Sequence, residues 1–127
     1  MSLADSDILI NYLNRRGPGL EIIERELQAR RLWTTTISLF EVLAGSLSPR
    51  RHAAAIALFA EVPAIPFTRD CAERAAEIDQ LLRSQGLRIP TADTLIAGVA
   101  LARGLPLITR NRRHFERIPG LELVALE

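Results

Sequence analysis

The sequence predicts an α/β domain of three layers, in which helices cover both faces of a mainly parallel central sheet. Short apolar or β-branched runs alternate with amphipathic stretches along the 127 residues, and this alternation indicates crossover connections between parallel strands. No repeat, low-complexity tract or linker interrupts the pattern, so residues 1–127 are expected to form one domain. A chain of this length can bury roughly 65–70% of its unfolded surface and needs no metal or disulfide to fold.

The first half of the chain is predicted to contain two strands and three helices. In order, they are a strand at Leu3-Ala4, a helix ending near Gly17-Pro18-Gly19, a helix with Leu20, Ile23 and Leu27 on one face, a strand at residues 32–37 and a short helix at residues 38–44. The run at 32–37 is rich in aromatic and β-branched residues, which favour strands. Trp33 and Phe40 are expected in the core.

The second half continues the alternation. Its predicted elements are a helix starting at Ser48-Pro49 with an apolar stripe of Ala53, Ile56, Ala57 and Ala60, a short strand at 64–67, a helix from Thr68 to Gly86, an apolar helix from Thr91 to Gly104, a strand at 105–108, a basic turn at 111–116 and a strand at 121–126. Ser48 is a preferred N-cap and Pro49 suits the first helical position. Pro66 indicates that its strand lies at or near an edge of the sheet.

All 16 basic residues of the chain are arginines, and lysine does not occur. Mechanisms that need a catalytic lysine are therefore excluded. The 15 acidic residues bring the formal net charge to only +1, but this total conceals a basic segment at residues 110–117 that contains four arginines and a single acid. Guanidinium groups bind phosphates bidentately and stack on bases, so this segment is a candidate for binding nucleic acid.

The cysteine count and the hydropathy pattern predict the compartment. Cys71 is the one cysteine, which excludes an internal disulfide framework and fits a reducing environment. No apolar run approaches the roughly 18–20 residues of a membrane span, and no signal peptide is recognisable. We therefore expect a cytoplasmic protein that does not interact with a membrane.

Four acidic residues stand alone in apolar stretches, each where a strand or loop leads into a helix. Asp5 and Asp7 are the only charged residues among the first 14, Glu41 is the only one in 32–49, and Asp93 is the only one in 89–102. A carboxylate among core residues needs a cation, a cluster of donors or a proton. Loops at the carboxyl ends of parallel strands meet at one edge of a sheet. The acids would converge there, and Mg²⁺ or Mn²⁺ is the natural partner.

Three of these acids also have a purely structural interpretation. Asp5 could cap the first helix, Ser38 and Glu41 have the spacing of a capping box, and Asp93 would lie in the first turn of its helix. Capping does not require every acid to be isolated in apolar sequence, however. The pattern as a whole therefore favours the metal site.

Four segments carry these residues: residues 3–10 (LADSDILI), 38–45 (SLFEVLAG), 92–97 (ADTLIA) and 107–111 (LITRN). Together they resemble the PIN-domain ribonucleases, and most of all the VapC toxins of bacterial toxin–antitoxin pairs. Their order and spacing agree with that family, and the resemblance runs from near residue 3 to the C-terminus. It implies the PIN-like three-layer α/β/α fold for this chain.

The resemblance implies that Asp5, Glu41 and Asp93 are catalytic and bind the metal ion, Mg²⁺ or Mn²⁺. Ser6 and Thr109 would be supporting hydroxyls. The sequence departs from the family at Asn111, where many members carry a fourth acid, and Asp7 could supply part of the missing charge. A divalent ion lowers the pKa of a bound water and stabilises a charged transition state, so hydrolysis of RNA should leave a 5′-phosphate and a 3′-hydroxyl.

Two groups of residues are expected to bind the phosphates of RNA on either side of the site. They are Arg110, Arg112, Arg113 and His114 after the strand that carries Thr109, and Arg15 and Arg16 after the first helix. The alternative for each group is a solvated basic face. The resemblance further implies a homodimer and a cognate VapB-type antitoxin, which would inhibit the enzyme by placing an arginine on the carboxylates.

Other functions fit part of the same pattern. Asp5-Ser6-Asp7 matches the opening motif of haloacid-dehalogenase-type phosphatases, and a cluster of acids also occurs in response-regulator receivers. Both normally use a lysine, which this chain lacks. A catalytically impaired PIN-like module that binds RNA or protein stays open because of Asn111, and failure to take up Mn²⁺ would favour it.

Overall fold

A parallel sheet of four short strands forms the centre of the molecule. In the computed structural model, which describes residues 1–126, β1 (Ser2–Ala4) lies between β2 (Leu32–Thr35) and β4 (Leu107–Ile108), and β3 (Ala64–Ile65) lies beyond β2 at one edge. Every pairing between these strands is parallel. The predicted parallel sheet and the edge position of the strand next to Pro66 are confirmed.

Helices cover the sheet on both faces. They are α1 (Ser6–Leu13), α2 (Leu20–Gln28), α3 (Thr36–Gly45), α4 (Pro49–Glu61), α5 (Arg69–Ser84), α6 (Thr91–Arg103) and α7 (Arg112–Phe115). Leu3 and Leu107 belong to one hydrophobic cluster, whereas their neighbours Ala4 and Ile108 belong to another. Successive residues of a strand face opposite sides, so the sheet has a core on each face and the predicted three layers are confirmed. No helix within residues 1–126 is long and apolar enough to cross a membrane.

The face that α4 buries differs from the prediction. Ala55 and Leu58 point into the core, and Val62 continues the same stripe beyond the helix. The predicted stripe of Ala53, Ile56, Ala57 and Ala60 is exposed instead. Every residue from 53 to 60 is apolar, so hydrophobicity alone did not determine which face packs inward.

Two further local predictions are wrong. Phe40 is 70% exposed rather than in the core, because α3 turns Ser38 and Val42 inward. Residues 121–126 form no strand, and a single parallel bridge joins Leu123 to Leu107. The strand β4 that they approach has only two residues and offers few hydrogen bonds for a further strand.

The helices α5 and α6 approach each other very closely at Gly98. A Cβ atom at this position would lie 2.7 Å from the carbonyl oxygen of Cys71 and 2.8 Å from the Cβ atom of Ala75. Both of these neighbours are buried. The contact fixes the position of α6, whose first turn carries Asp93.

Candidate metal centre

A cavity of about 300 Å³ lies where the carboxyl ends of β1 and β4 meet the first turn of α6. It is lined by Asp5, Ser6, Asp7, Glu41, Pro90, Ala92, Asp93, Asn111 and His114. The three predicted metal ligands therefore reach one cavity from α1, α3 and α6, although they are far apart in the sequence. Pro90 and Ala92 also line it; both flank Thr91, the predicted start of a helix, and this is the signal that could have identified them.

Asp5 is the most deeply buried acid of this cavity, with 2% of the residue exposed. It follows β1 directly and caps α1 as predicted: its Oδ1 accepts a hydrogen bond from the Ile8 amide at 3.1 Å. The hydroxyl of Thr109, at the end of β4, donates to Oδ2. Capping and a place in the cavity are thus compatible for this residue.

Burial raises the pKa of Asp5 from 3.8 to about 7, although the hydrogen bonds from Thr109 and Ile8 lower it, and the negative charges of Asp7 and Asp93 raise it further. A carboxylate in this environment ionises at a cost in free energy, which a nearby cation would offset. The electrostatics of the cavity therefore favour a bound positive charge.

Glu41 lies in the second turn of α3 and not in a capping box. The N-cap of α3 is Thr35, whose Oγ1 accepts from the Ser38 amide at 2.9 Å. The capping box predicted for Ser38 and Glu41 is therefore wrong. Because β2 ends at Thr35, α3 already begins at Thr36, whereas a cap at Ser38 would have placed the first helical residue at position 39. The Glu41 carboxylate instead accepts a hydrogen bond from the hydroxyl of Ser6 on α1.

Asp93 lies in the first turn of α6, as predicted, and forms a contact that the sequence did not reveal. Its Oδ2 is 2.8 Å from Nδ1 of His114 on α7. The Asp93 side chain is 15% exposed and that of His114 is 36% exposed. Because an ionised carboxylate can only accept hydrogen bonds, the imidazole donates from Nδ1.

Asn111 and Asp7 are direct partners at the rim of the cavity. The amide nitrogen Nδ2 of Asn111 donates to Oδ2 of Asp7 at 2.7 Å, and the backbone amide of Asn111 donates to Thr109 Oγ1 at 2.9 Å. The residue that replaces the fourth acid is thus paired with an additional acid on α1. The side-chain oxygen of Asn111 keeps its capacity to accept.

One residue from each of the two predicted basic groups contacts Asn11 on α1. Arg110 donates from Nη1 to the side-chain oxygen of Asn11 at 3.4 Å, and the backbone amide of Arg16 donates to the carbonyl oxygen of Asn11 at 3.0 Å. Arg15 and Arg16 are both exposed. Arg110 therefore lies close to the Arg15-Arg16 pair at the end of α1.

The remaining residues of the basic segment differ from one another. Arg112 donates from Nη1 to the carbonyl oxygen of Val124 at 3.0 Å, which holds its side chain against the C-terminal segment. Arg113 is exposed on α7. His114 does not belong to the exposed basic face, because it lines the acidic cavity.

The donor set of the cavity fits a hard divalent cation. Its charged donors are carboxylates, and Mg²⁺ is usually held by one or two carboxylates with water in the remaining positions. No three His, Cys, Asp or Glu side chains among residues 1–126 are arranged to hold one ion jointly.

Comparisons with known proteins agree with this arrangement. The PIN domain family matches residues 3–121, a span that includes every residue lining the cavity. The tRNA(fMet)-specific endonuclease VapC of Salmonella typhimurium is 33% identical over 101 residues, which cover 76% of this chain and 76% of that protein. Ribonuclease VapC19 of Mycobacterium tuberculosis is 31% identical over 124 residues and covers 96% of this chain and 98% of its own.

Solved structures show the same architecture. The DNA-bound VapBC of Salmonella typhimurium matches with a TM-score of 0.84 and 29% identity over 98% of both chains. VapBC2 of Rickettsia felis, bound to a DNA fragment from its promoter, matches with a TM-score of 0.86 and 25% identity over 97% of this chain and 96% of that one. The fold thus agrees with these structures over nearly the whole chain.

Proposed function

The chain belongs to the PIN domain family and resembles its VapC ribonucleases, and from this premise we propose that it is a metal-dependent endoribonuclease that acts as the toxin of a toxin–antitoxin pair. The observation that carries the proposal is the convergence of Asp5, Glu41 and Asp93 on one cavity. The names of the relatives, which describe nucleases of RNA, support the reaction class.

In this proposal Asp5 and Asp93 would hold Mg²⁺ or Mn²⁺, with Glu41 contributing directly or through water. The chemistry that such a cation supplies is activation of a water nucleophile and neutralisation of the charge that builds on the phosphate in the transition state. Attack by water at phosphorus releases a 3′-hydroxyl and leaves a 5′-phosphate.

The chain's own donors hold these carboxylates in place. Thr109 and the Ile8 amide fix both oxygens of Asp5, and Ser6 fixes one oxygen of Glu41. Hydrogen bonds to ligating carboxylates orient them and reduce the reorganisation needed during the reaction. Ser6 and Thr109 are therefore supporting residues, which is the role that the resemblance implies for them.

The pairing of Asp7 with Asn111 favours the enzyme over the impaired binding module. The departure at Asn111 removes one negative charge from the family pattern, but Asp7 lies within 2.7 Å of the amide and also lines the cavity. A negative charge is thereby kept at the same rim. We propose that Asp7 and Asn111 support the site through this contact.

The partners belong to the same proposal. Both solved structures described above are VapBC complexes, which supports a VapB-type antitoxin as the inhibitor of this chain. A homodimer and a cytoplasmic location complete the proposal. We further propose that Arg15, Arg16, Arg110, Arg112, Arg113 and His114 contact phosphates of the RNA.

The experiment that tests the reaction is cleavage of RNA by the purified protein with Mg²⁺ or Mn²⁺ and with EDTA. We expect cutting that stops in EDTA, resumes when metal is restored in excess, and produces 5′-phosphate ends that a ligase accepts. Cutting that persists in EDTA and leaves a cyclic phosphate would contradict the proposal, because a metal-activated water does not form that product.

We expect Arg113 and Arg112 to contribute to RNA binding through charge. Replacing both with glutamine should weaken RNA binding and lower the magnitude of the slope of log K against log salt by about 1. Each phosphate that a protein neutralises on a single strand adds about 0.7 to that slope. The expected decrease is smaller than twice this value because Arg112 is partly engaged with Val124. The measurement is fluorescence anisotropy of a labelled RNA in EDTA at several salt concentrations.

The matched control removes the same charge at the amino ends of the strands, on the side of the sheet opposite the cavity. Arg25 lies in the last turn of α2 and Arg30 lies two residues before the start of β2, so both are at the amino ends of the strands. Their replacement by glutamine should leave the slope unchanged. An equal decrease in both double variants would indicate a general effect of net charge rather than a binding face.

A further inference from the structure

The hydrogen bond between His114 and Asp93 has a role beyond packing. Phe115, the next residue of α7, is fully buried and anchors that short helix in the core. His114 contributes little to this anchoring, since 36% of its side chain is exposed. Its imidazole nevertheless lines the acidic cavity and lies 2.8 Å from a carboxylate oxygen on a different helix.

Asp5, Glu41 and Asp93, three of the four acids that line the cavity, share one arrangement. Each has at least one carboxylate oxygen fixed by a side-chain donor: Thr109 for Asp5, Ser6 for Glu41 and His114 for Asp93. The first two donors are hydroxyls: Thr109 directly follows β4, and Ser6 is the first residue of α1. For Asp93 that task falls to an imidazole from α7.

We propose that His114 is a positioning residue of the metal site, which holds Asp93 in one orientation so that its other oxygen, Oδ1, is available to the cation. The inference rests on the proposed function, because it requires the cavity to bind a divalent ion. The donor to Asp93 is Nδ1, and the phosphate contact expected of His114 would need the imidazolium form, in which Nε2 also donates. Partners that orient ligating carboxylates typically change metal affinity by about 10- to 100-fold when they are removed.

The test compares the affinity for Mn²⁺ among variants of the full chain. Binding is measured through the EPR signal of free Mn²⁺, which decreases as the ion binds. His114→Ala should weaken binding by about 10- to 100-fold. His114→Asn should retain most of the affinity, because its amide nitrogen can donate from nearly the position of Nδ1. His114→Gln, whose amide is placed near Nε2, should behave like His114→Ala.

His52 supplies the matched control. It is the other of the two histidines and is exposed on α4, so His52→Ala should bind Mn²⁺ as the original chain does. The thermal unfolding temperature of each metal-free variant should stay within about 3 °C of that of the metal-free original chain, as expected for half-exposed sites. This readout separates a loss of metal binding from a loss of fold.

Two outcomes would overturn the inference while leaving the proposed function intact. One is equal affinity of His114→Ala and the original chain. The other is a combined result: His114→Gln restores Mn²⁺ affinity but His114→Asn does not, and the Mn²⁺ spectrum of the original chain shows strong ¹⁴N coupling. That result would make the imidazole ring itself a metal ligand. If the original chain binds no Mn²⁺, the proposed function itself fails.

Discussion

Replacing Asp5 with asparagine should lower the rate of RNA cleavage by about a thousandfold or more, and should at the same time make the metal-free protein more stable at neutral pH. The loss of activity follows from removing the most buried negative charge of the cavity. The geometry of the site is retained, because asparagine is nearly the same size and its side-chain oxygen can still accept from the Ile8 amide and cap α1.

The gain in stability follows from the direction of the pKa shift. Burial raises the pKa of Asp5 from 3.8 to about 7, so the folded state binds a proton more tightly than the unfolded state. The free energy of unfolding contributed by this group therefore falls as the pH rises from about 4 to about 7, and the penalty is complete above that range. Asparagine does not ionise and avoids this penalty.

Thermal unfolding in EDTA at about pH 4 and about pH 8 measures the effect. The variant and the original chain should differ most at the higher pH, where the variant should unfold at a higher temperature, and should converge at the lower pH. Glu77→Gln, which neutralises an exposed acid on α5, should change neither cleavage nor this pH dependence. Native cleavage by the Asp5 variant would refute the assignment of the site.

Gly98→Ala should destabilise the fold by about 3 kcal/mol, the upper range for overpacking a core, which corresponds to a drop of roughly 10 °C in unfolding temperature. The added methyl group would lie 2.7 Å from the carbonyl oxygen of Cys71 and 2.8 Å from the Cβ atom of Ala75. Neither atom can rotate away as the end of a long side chain can. One of the two helices must therefore move.

Gly45→Ala is the matched control, because it makes the same chemical change in a helix with open space. No atom lies within 4 Å of a Cβ atom at Gly45, and alanine is favoured over glycine in helices. Differential scanning calorimetry should show opposite signs for the two variants. Equal unfolding temperatures would show that α5 and α6 separate without cost.

The acids of the site could be predicted because their signal is local. Each stands alone in an apolar run, with Asp5 directly after a strand and Asp93 and Glu41 in the first two turns of their helices. Parallel topology then places such positions at one edge of the sheet. The contact between His114 and Asp93 could not be predicted in this way. It depends on where α7 lies relative to α6, and no periodicity within either segment reports that position.

Boundaries and faces were less predictable than the elements themselves. Thr35, Thr36 and Ser38 are all plausible at the junction of β2 and α3, and the structure selects Thr35 as the cap because β2 ends there. In α4, apolar residues surround the helix, so the buried face was decided by what it packs against. These errors share one cause, since a local pattern permits several solutions and tertiary packing selects one.

The site also joins the two ends of the chain. Thr109 donates to Asp5 and Asn111 donates to Asp7, both across 104 residues, and β1 is flanked by β2 and β4. During synthesis, the N-terminal segment emerges and begins to fold first. A nascent chain that still lacks residues 107–114 has Asp5 but has neither its hydroxyl partner nor the strand that places it. The order of translation thus delays assembly of the proposed nuclease site until residues 107–111 have been made.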